Sequence, residues 1–228
     1  MTVDAPAVTA APSGGGVDAA AAASTHVIAH PHVLYVGTPA YLICSTNADG
    51  SPNLAAASSH WALGDMLCLG LEAEGQTAVN IAERPGITIS FPSARLWPAL
   101  VRLSHLTGRD PVPIDKAARY TYEHDKFTAA RLTPQPSDLV DAPRVKECAL
   151  QFEAEVRRLT PGLDGSYFMV EAEVLRVHAD PALVPEGTGE IDPRRWHPLV
   201  YAFRHFFDRG DEVGWLPSSR LAPPPVID

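Results

Sequence analysis

Ser45-Thr46-Asn47-Ala48-Asp49-Gly50-Ser51-Pro52-Asn53-Leu54-Ala55-Ala56-Ala57-Ser58-Ser59-His60-Trp61 is the stretch on which the fold turns. At its centre Asn47 to Pro52 brings Asn, Asp, Gly and Pro together, the residues that accept the backbone angles of a tight hairpin. Before it, Tyr41-Leu42-Ile43-Cys44 is a short β-prone run, and Asn53 to Trp61 is the expected returning strand. Outward on one side, Leu34-Tyr35-Val36 is another β-prone run, parted from the first by the turn signal Gly37-Thr38-Pro39. On the other side Met66 to Leu71 predicts a strand. Gln76 to Ala82 predicts a short helix stopped before Pro85, and Ile87-Thr88-Ile89-Ser90-Phe91 a further strand.

Beyond this block, Ala94 to Leu106 and Ile114 to Tyr122 carry helical spacing of apolar residues. Cys148, Leu150, Phe152, Ala154 and Val156 alternate with Gln151, Glu153, Glu155 and Arg157, which predicts a strand with one buried and one wet face. Tyr167 to Val177 reads as a long final strand. There is no internal repeat and no regular strand–helix alternation, so a mostly β, antiparallel barrel with peripheral helices is expected rather than a doubly wound parallel sheet. Residues 1–25, rich in Ala and Gly without apolar periodicity, are expected to be a flexible tail. Residues 26–222 are expected to form one domain, and 223–228 a second tail opening on Pro223-Pro224-Pro225.

The chain has 228 residues and a formal net charge of -9, from 27 acidic and 18 basic side chains. That balance argues against a nucleic-acid partner, which needs a basic surface. Cys44, Cys68 and Cys148 are sparse, odd in number and match no zinc spacing. They read as small core residues of a protein in a reducing compartment. No run is apolar and long enough to span a bilayer, and no basic segment precedes the Ala-rich start, so a cytoplasmic location without a membrane partner is expected. His26, His30 and His32 lack a neighbouring carboxylate or thiol to complete a metal site, so no metal is expected and a solvated loop is the preferred reading. No Gly-x-Gly-x-x-Gly, Walker loop or Gly-x-Ser-x-Gly elbow is present. Ser59 and His60, as strand neighbours, would face opposite ways, and no catalytic side chain is assigned.

Ser45-Thr46, Asp49-Gly50-Ser51-Pro52-Asn53, Ala55-Ala56-Ala57-Ser58-Ser59 and Gly75-Gln76-Thr77-Ala78-Val79-Asn80-Ile81 occur in an order and spacing that resembles the flavin reductase-like family of FMN-binding split barrels. The resemblance resumes at Asp125-Lys126-Phe127, Ala142-Pro143-Arg144 and Leu150-Gln151-Phe152-Glu153, and covers most of Val33 to Leu175. It implies an antiparallel Greek-key split barrel, a homodimer with FMN at the subunit interface (FAD fits less well), and NADH or NADPH as reductant. The cofactor-binding set it implies is Ser45, Thr46, Asn53, Ala55, Ala56, Ala57, Ser58, Ser59, Trp61, Thr77, Asn80 and Lys126.

The chemistry suits these residue types. A phosphate dianion wants hydroxyls, amides and the free N–H groups of a helix start, which Thr77 and Asn80 occupy. Helix capping is the plainer role for Thr77. Ala55, Ala56 and Ala57 allow backbone to approach a flat ring. Lys126 is a candidate phosphate cation or a solvated surface lysine. Trp61 either borders the ring or packs in the core. Tyr201, Arg204 and His205 either shape a pocket or anchor the C-terminal segment through its aromatic residues. The reaction implied is hydride transfer from nicotinamide to flavin. An FMN-binding electron carrier or sensor, and an FMN-dependent oxidase or oxygenase of a small organic substrate, stay open beside it.

Overall fold

The computed structural model describes residues 26–213, so both expected tails lie largely or wholly outside the described residues. The chain divides into two units, 1–31 and 32–228; what is described of the first, 26–31, is exposed and without regular structure.

The second unit begins with β1 (Val36–Pro39), β2 (Tyr41–Thr46), β3 (Pro52–Ala57), β4 (His60–Leu63) and β5 (Met66–Glu72). Helix α1 (Gln76–Glu83) and β6 (Gly86–Phe91) follow, then α2 (Trp97–Leu103), β7 (Leu106–Thr107), β8 (Thr121–Tyr122) and α3 (Lys126–Ala130). The chain ends in β9 (Pro134–Gln135), β10 (Arg144–Val145), the long β11 (Leu150–Pro161) and β12 (Tyr167–Ala179), and the hairpin β13 (Val200–Ala202) and β14 (His205–Phe207).

Seven strands form the main antiparallel sheet in the order β3-β2-β6-β11-β12-β5-β4. Its two edge strands, β3 and β4, are consecutive in sequence and joined only by Ser58 and Ser59. Three peptide steps span at most about 11 Å, so the sheet must coil until its edges nearly meet. This is a barrel that closes except for one split. Gly70 makes the closure possible: its N–H donates to the Ser59 carbonyl at 2.9 Å, and a Cβ there would lie 2.9 Å from Ser59 Cβ.

Every residue of β2 is buried, because both faces of the strand are covered. Leu42 and Cys44 pack under α2 and α3 with Leu54, Leu100, Leu103, Phe127 and Val145. Tyr41 and Ile43 face the other core, with Leu67, Leu69, Ile87, Ile89 and Val170. Full burial of such aliphatic side chains stabilises by about 1.5–3 kcal/mol each.

The structure departs from sequence expectation in five places. The expected single strand Asn53–Trp61 breaks at Ser58-Ser59, where the chain crosses from one edge of the sheet to the other. Gly37-Thr38-Pro39 is not a turn; it lies in β1, with a bulge in its pairing to β13. Ile114–Tyr122 is not helical but a run of turns ending in β8, and Ile114 is 96% exposed, so its apolar spacing marks no packed face. The alternation along β11 does not give a wet face there, since Gln151 and Glu153 are buried. Segment 138–139 covers them: both Glu153 carboxylate oxygens accept the Asp138 N–H at 3.1 Å, and one accepts the Leu139 N–H at 2.6 Å. Finally, β12 is followed by the β13–β14 hairpin, which pairs with β1 in a separate three-stranded sheet.

Candidate functional site

A cavity of about 390 Å³ opens beside the split, between β3, the start of α1, the 100–120 segment and the β13–β14 hairpin. Ala55, Ala56, Ala57, Ser58 and Ser59 line it, with Thr77, Lys126 and Tyr201. These eight sequence candidates are brought together by the fold.

The polar end is built on α1. Gly75 precedes the helix and supplies no capping side chain, and no acidic residue stands in the first turn. The first-turn N–H groups are therefore left for solvent or a ligand. Thr77 does not cap the helix; its hydroxyl accepts from Asn53 Nδ2 at 3.0 Å. Asn53 is buried and also donates to Ser45 Oγ at 3.3 Å, while its Oδ1 accepts from Lys126 Nζ at 2.9 Å. Asn80 Nδ2 donates to Ser45 Oγ at 3.0 Å and to Asn47 Oδ1 at 2.9 Å, which ties α1 to the β2–β3 hairpin. Ser45, Asn53 and Asn80 stand behind the cavity wall, holding Thr77 and Lys126 in place. Thr46 is also buried outside the cavity, and its carbonyl accepts from Arg84 Nε at 2.8 Å.

Lys126 begins α3, whose N-cap Asp125 accepts the Thr128 N–H at 3.0 Å. Only 4% of Lys126 is exposed, so it is not a solvated surface lysine. Burial pulls its ammonium down to about 8, and no carboxylate lies within 4.0 Å of it among the described residues. A buried, unpaired cation is costly, which makes the polar end attractive to an anion. Gly108 seats the loop above it: a Cβ there would lie 2.6 Å from Asn53 Oδ1.

A second lysine lines the same cavity. Lys116 is likewise buried, but it pairs with the carboxylate of Glu72, which also lines the cavity. Its ammonium sits 5.9 Å over the Tyr120 ring.

The aromatic wall comes from the three-stranded sheet. Tyr35 and Tyr201 meet at 5.4 Å between ring centroids, as do Tyr201 and Phe206. The Tyr35 hydroxyl lies 2.6 Å from Ser59 Oγ. Phe203 and Arg204 form the tight turn of the hairpin with φ of 44° and 71°. Bulky residues rarely take this left-handed conformation, so the surrounding pairing must impose it, and it fixes Tyr201 and Phe206 against the cavity.

Three sequence candidates lie elsewhere. Trp61 is 59% exposed on edge strand β4, neither core nor cavity wall. Arg204 and His205 are exposed on the hairpin, outside the cavity. Conversely Tyr35, Gln76, Thr107, Gly108, Lys116 and Phe206 line it without having been singled out. Gln76 and Gly108 carried a weak signal, lying in or near polar, glycine-containing turns; Tyr35 and Phe206 carried none, since aromatic residues in short strands read as core.

Asp138, Glu153 and His178 offer ligand atoms within 4.8 Å of one another. Cations of the protein already serve this group: Arg176 pairs with Asp138 at 2.7 Å and Arg144 Nε stands 4.0 Å from Glu153. With these partners the three form an ion-pair network. Burial raises the Glu153 carboxyl, but the N–H groups of Asp138 and Leu139 and the His178 ring bring it below its ordinary value.

The coiled sheet, the split and the cavity beside it define a split-barrel protein. Solved structures agree: flavoredoxin of Desulfovibrio vulgaris (Miyazaki F) superposes with a TM-score of 0.71 at 22% identity, over 86% of this chain and 99% of that one. A split-barrel-domain protein from Shewanella frigidimarina NCIMB 400 superposes with 0.64 at 22% identity, over 80% and 87%. Residues 33–210 match the family described as Flavin reductase like domain. The chain is also 37% identical over 186 residues to YdfE of Bacillus subtilis (strain 168), a protein described as uncharacterized, covering 81% of this chain and 89% of that one. The chain belongs to the flavin reductase-like family.

Proposed function

We propose that this protein binds FMN in the cavity beside the split and passes electrons to it from NADH or NADPH. The observation that carries the reading is Lys126, a buried cation paired only with a neutral amide, beside the Thr77 hydroxyl and an uncapped helix start. A phosphate monoester meets all three needs at once. The aromatic wall of Tyr35, Tyr201 and Phe206 and the small side chains Ala55 to Ala57 suit a flat ring system. When bound, the flavin supplies the redox chemistry, accepting a hydride from the nicotinamide.

The residues of the chain bind and orient. Lys126 and Thr77 hold the phosphate. Asn53, fixed by Ser45, keeps both at their stations, and Tyr35, locked to Ser59, limits how the ring can lie. No dinucleotide fingerprint is present, so the nicotinamide donor is held by the ring face and its surroundings, with modest choice between NADH and NADPH.

We further propose a homodimer. Trp61, Leu63, Tyr167 and Met169 leave apolar surface exposed along β4 and β12, and β4 is a sheet edge open to pairing or cover. A cytoplasmic site of action is supported by three cysteines, none of them in a disulfide. No described helix is long and apolar enough to cross a membrane.

The test is anaerobic. The purified protein is loaded with FMN, and its visible absorption is followed on adding NADH or NADPH. Bleaching by at least one nicotinamide supports reductase turnover. Bleaching by dithionite alone overturns it in favour of a carrier, or of an oxygenase that needs its own substrate.

A further inference from the structure

Three charged side chains line the cavity beside the split: Glu72, Lys116 and Lys126. Glu72 cancels the charge of Lys116, and Lys126 has no ion-pair partner among the described residues. The lining as a whole therefore presents one positive charge to a ligand. The two ends of the Lys116–Glu72 pair meet different surroundings. The Lys116 side chain is 11% exposed and that of Glu72 is 66% exposed. A residue that both lines a cavity and faces solvent stands at its rim, so Glu72 is at the rim and Lys116 behind it. The Tyr120 ring under the Lys116 ammonium helps to hold it there.

Both lysines reach the start of α1, by separate routes. Glu72 is the last residue of β5, and Glu72-Ala73-Glu74-Gly75 turns the chain into the helix. The Glu72 carbonyl accepts the Gly75 N–H at 3.1 Å. Such a turn keeps the Cα atoms of Glu72 and Gly75 within about 7 Å. Lys126 is tied to Thr77, in the first turn of α1, through Asn53, with hydrogen bonds of 2.9 and 3.0 Å.

A phosphoryl group seated at the helix start with Lys126 and Thr77 uses the one unpaired cation of the cavity. A ligand that continues beyond that group has to leave past the rim. A second phosphoryl group there finds Lys116 already neutralised and the exposed carboxylate of Glu72 in its way. Like charges closer than a Debye length, about 8–10 Å at physiological ionic strength, repel one another appreciably.

We infer that the Lys116–Glu72 pair sets how much anionic charge the cavity accepts, so that a flavin with one phosphoryl group is chosen over a flavin with two. Glu72 is the specificity-determining residue: it keeps Lys116 from serving a second phosphoryl group. The inference rests on the reading of this cavity as a flavin site. Glu72→Gln keeps the length of the side chain and removes its charge. Lys116 then becomes a second buried, unpaired ammonium beside the same helix start, and a diphosphate is the ligand that answers two such cations.

The test uses the full chain and calorimetric titration with FMN and FAD, with inorganic pyrophosphate as a competitor of FMN that carries no adenosine. The wild type should bind FMN more tightly than FAD. In Glu72→Gln the ratio of FAD to FMN affinity should rise about tenfold, the gain of one charge-assisted contact, and pyrophosphate should displace FMN more effectively than it does from the wild type. In the double variant Glu72→Gln/Lys116→Met the second cation is gone, and the ratio should return to within about threefold of the wild type. A wild type that prefers FAD, a ratio unmoved by Glu72→Gln, or a shift that persists in the double variant would overturn the inference. A wild type that binds neither flavin would overturn the flavin reading itself, a result distinct from an unmoved ratio in a protein that does bind FMN.

Discussion

Lys116 and Lys126 line the same cavity, are buried to within 8% and 4% exposure respectively, and differ in their partners. Lys116 has the carboxylate of Glu72; Lys126 has only the amide oxygen of Asn53. Burial alone does not make an anion site. A paired ammonium is already neutralised, whereas an unpaired one carries a desolvation cost that a bound anion relieves. The pH linkage follows from the same difference. With Lys126 at about 8 in the fold and about 10.4 when unfolded, the ammonium is destabilising at neutral pH. Its contribution to stability therefore improves as pH rises from about 8 towards 10.4.

The largest expected effect separates the two lysines directly. Lys126→Met should weaken FMN by about 10- to 100-fold, the loss of a charged hydrogen bond, and leave riboflavin affinity unchanged. Lys116→Met should alter FMN by less than about threefold, since its charge is already answered. Fluorescence titration of both flavins against both variants measures this, and equal losses would break the comparison. Next comes Thr77→Ala, expected to cost FMN about tenfold. The same loss for riboflavin would show that Thr77 acts only through packing.

Smaller is the effect of Glu72→Gln, which makes Lys116 resemble Lys126. Stability to urea should fall by about 1 kcal/mol, less than for a fully buried pair because the Glu72 carboxylate is largely solvated. An unchanged midpoint would mean that the pair contributes nothing. Smallest on FMN affinity is the aromatic wall. Tyr201→Ala should change the rate of nicotinamide reduction more than FMN affinity, and His205→Ala should change neither, because His205 lies outside the cavity.

The hairpin Asn47–Pro52, helix α1 and strand β6 were legible because their signals are local: turn chemistry, a proline stop and a β-branched run. The site was legible where small and hydroxyl residues cluster in one stretch, Ala55 to Ser59 and Thr77. It was not legible where the decisive property is burial by distant chain. Lys126 reads as a surface lysine until α3, the 100–120 segment and Asn53 enclose it. Glu153 reads as a wet position until segment 138–139 folds over it and donates two backbone N–H groups. Trp61 reads as core or cavity wall, but the split in the barrel leaves β4 as an edge and its outer face open. Ile114 to Tyr122 has helical spacing without a partner surface, and spacing alone does not hold a helix.

The most direct test of the central claim is the ratio of FMN to riboflavin affinity from pH 6.5 to 9.5. FMN should bind more tightly at neutral pH, and the preference should decline above about pH 8 as the Lys126 ammonium of the free protein loses its proton. In Lys126→Met the ratio should be smaller and flat with pH. Equal affinity for the two flavins, or a wild-type preference that does not change across this range, would contradict a phosphate site built on Lys126.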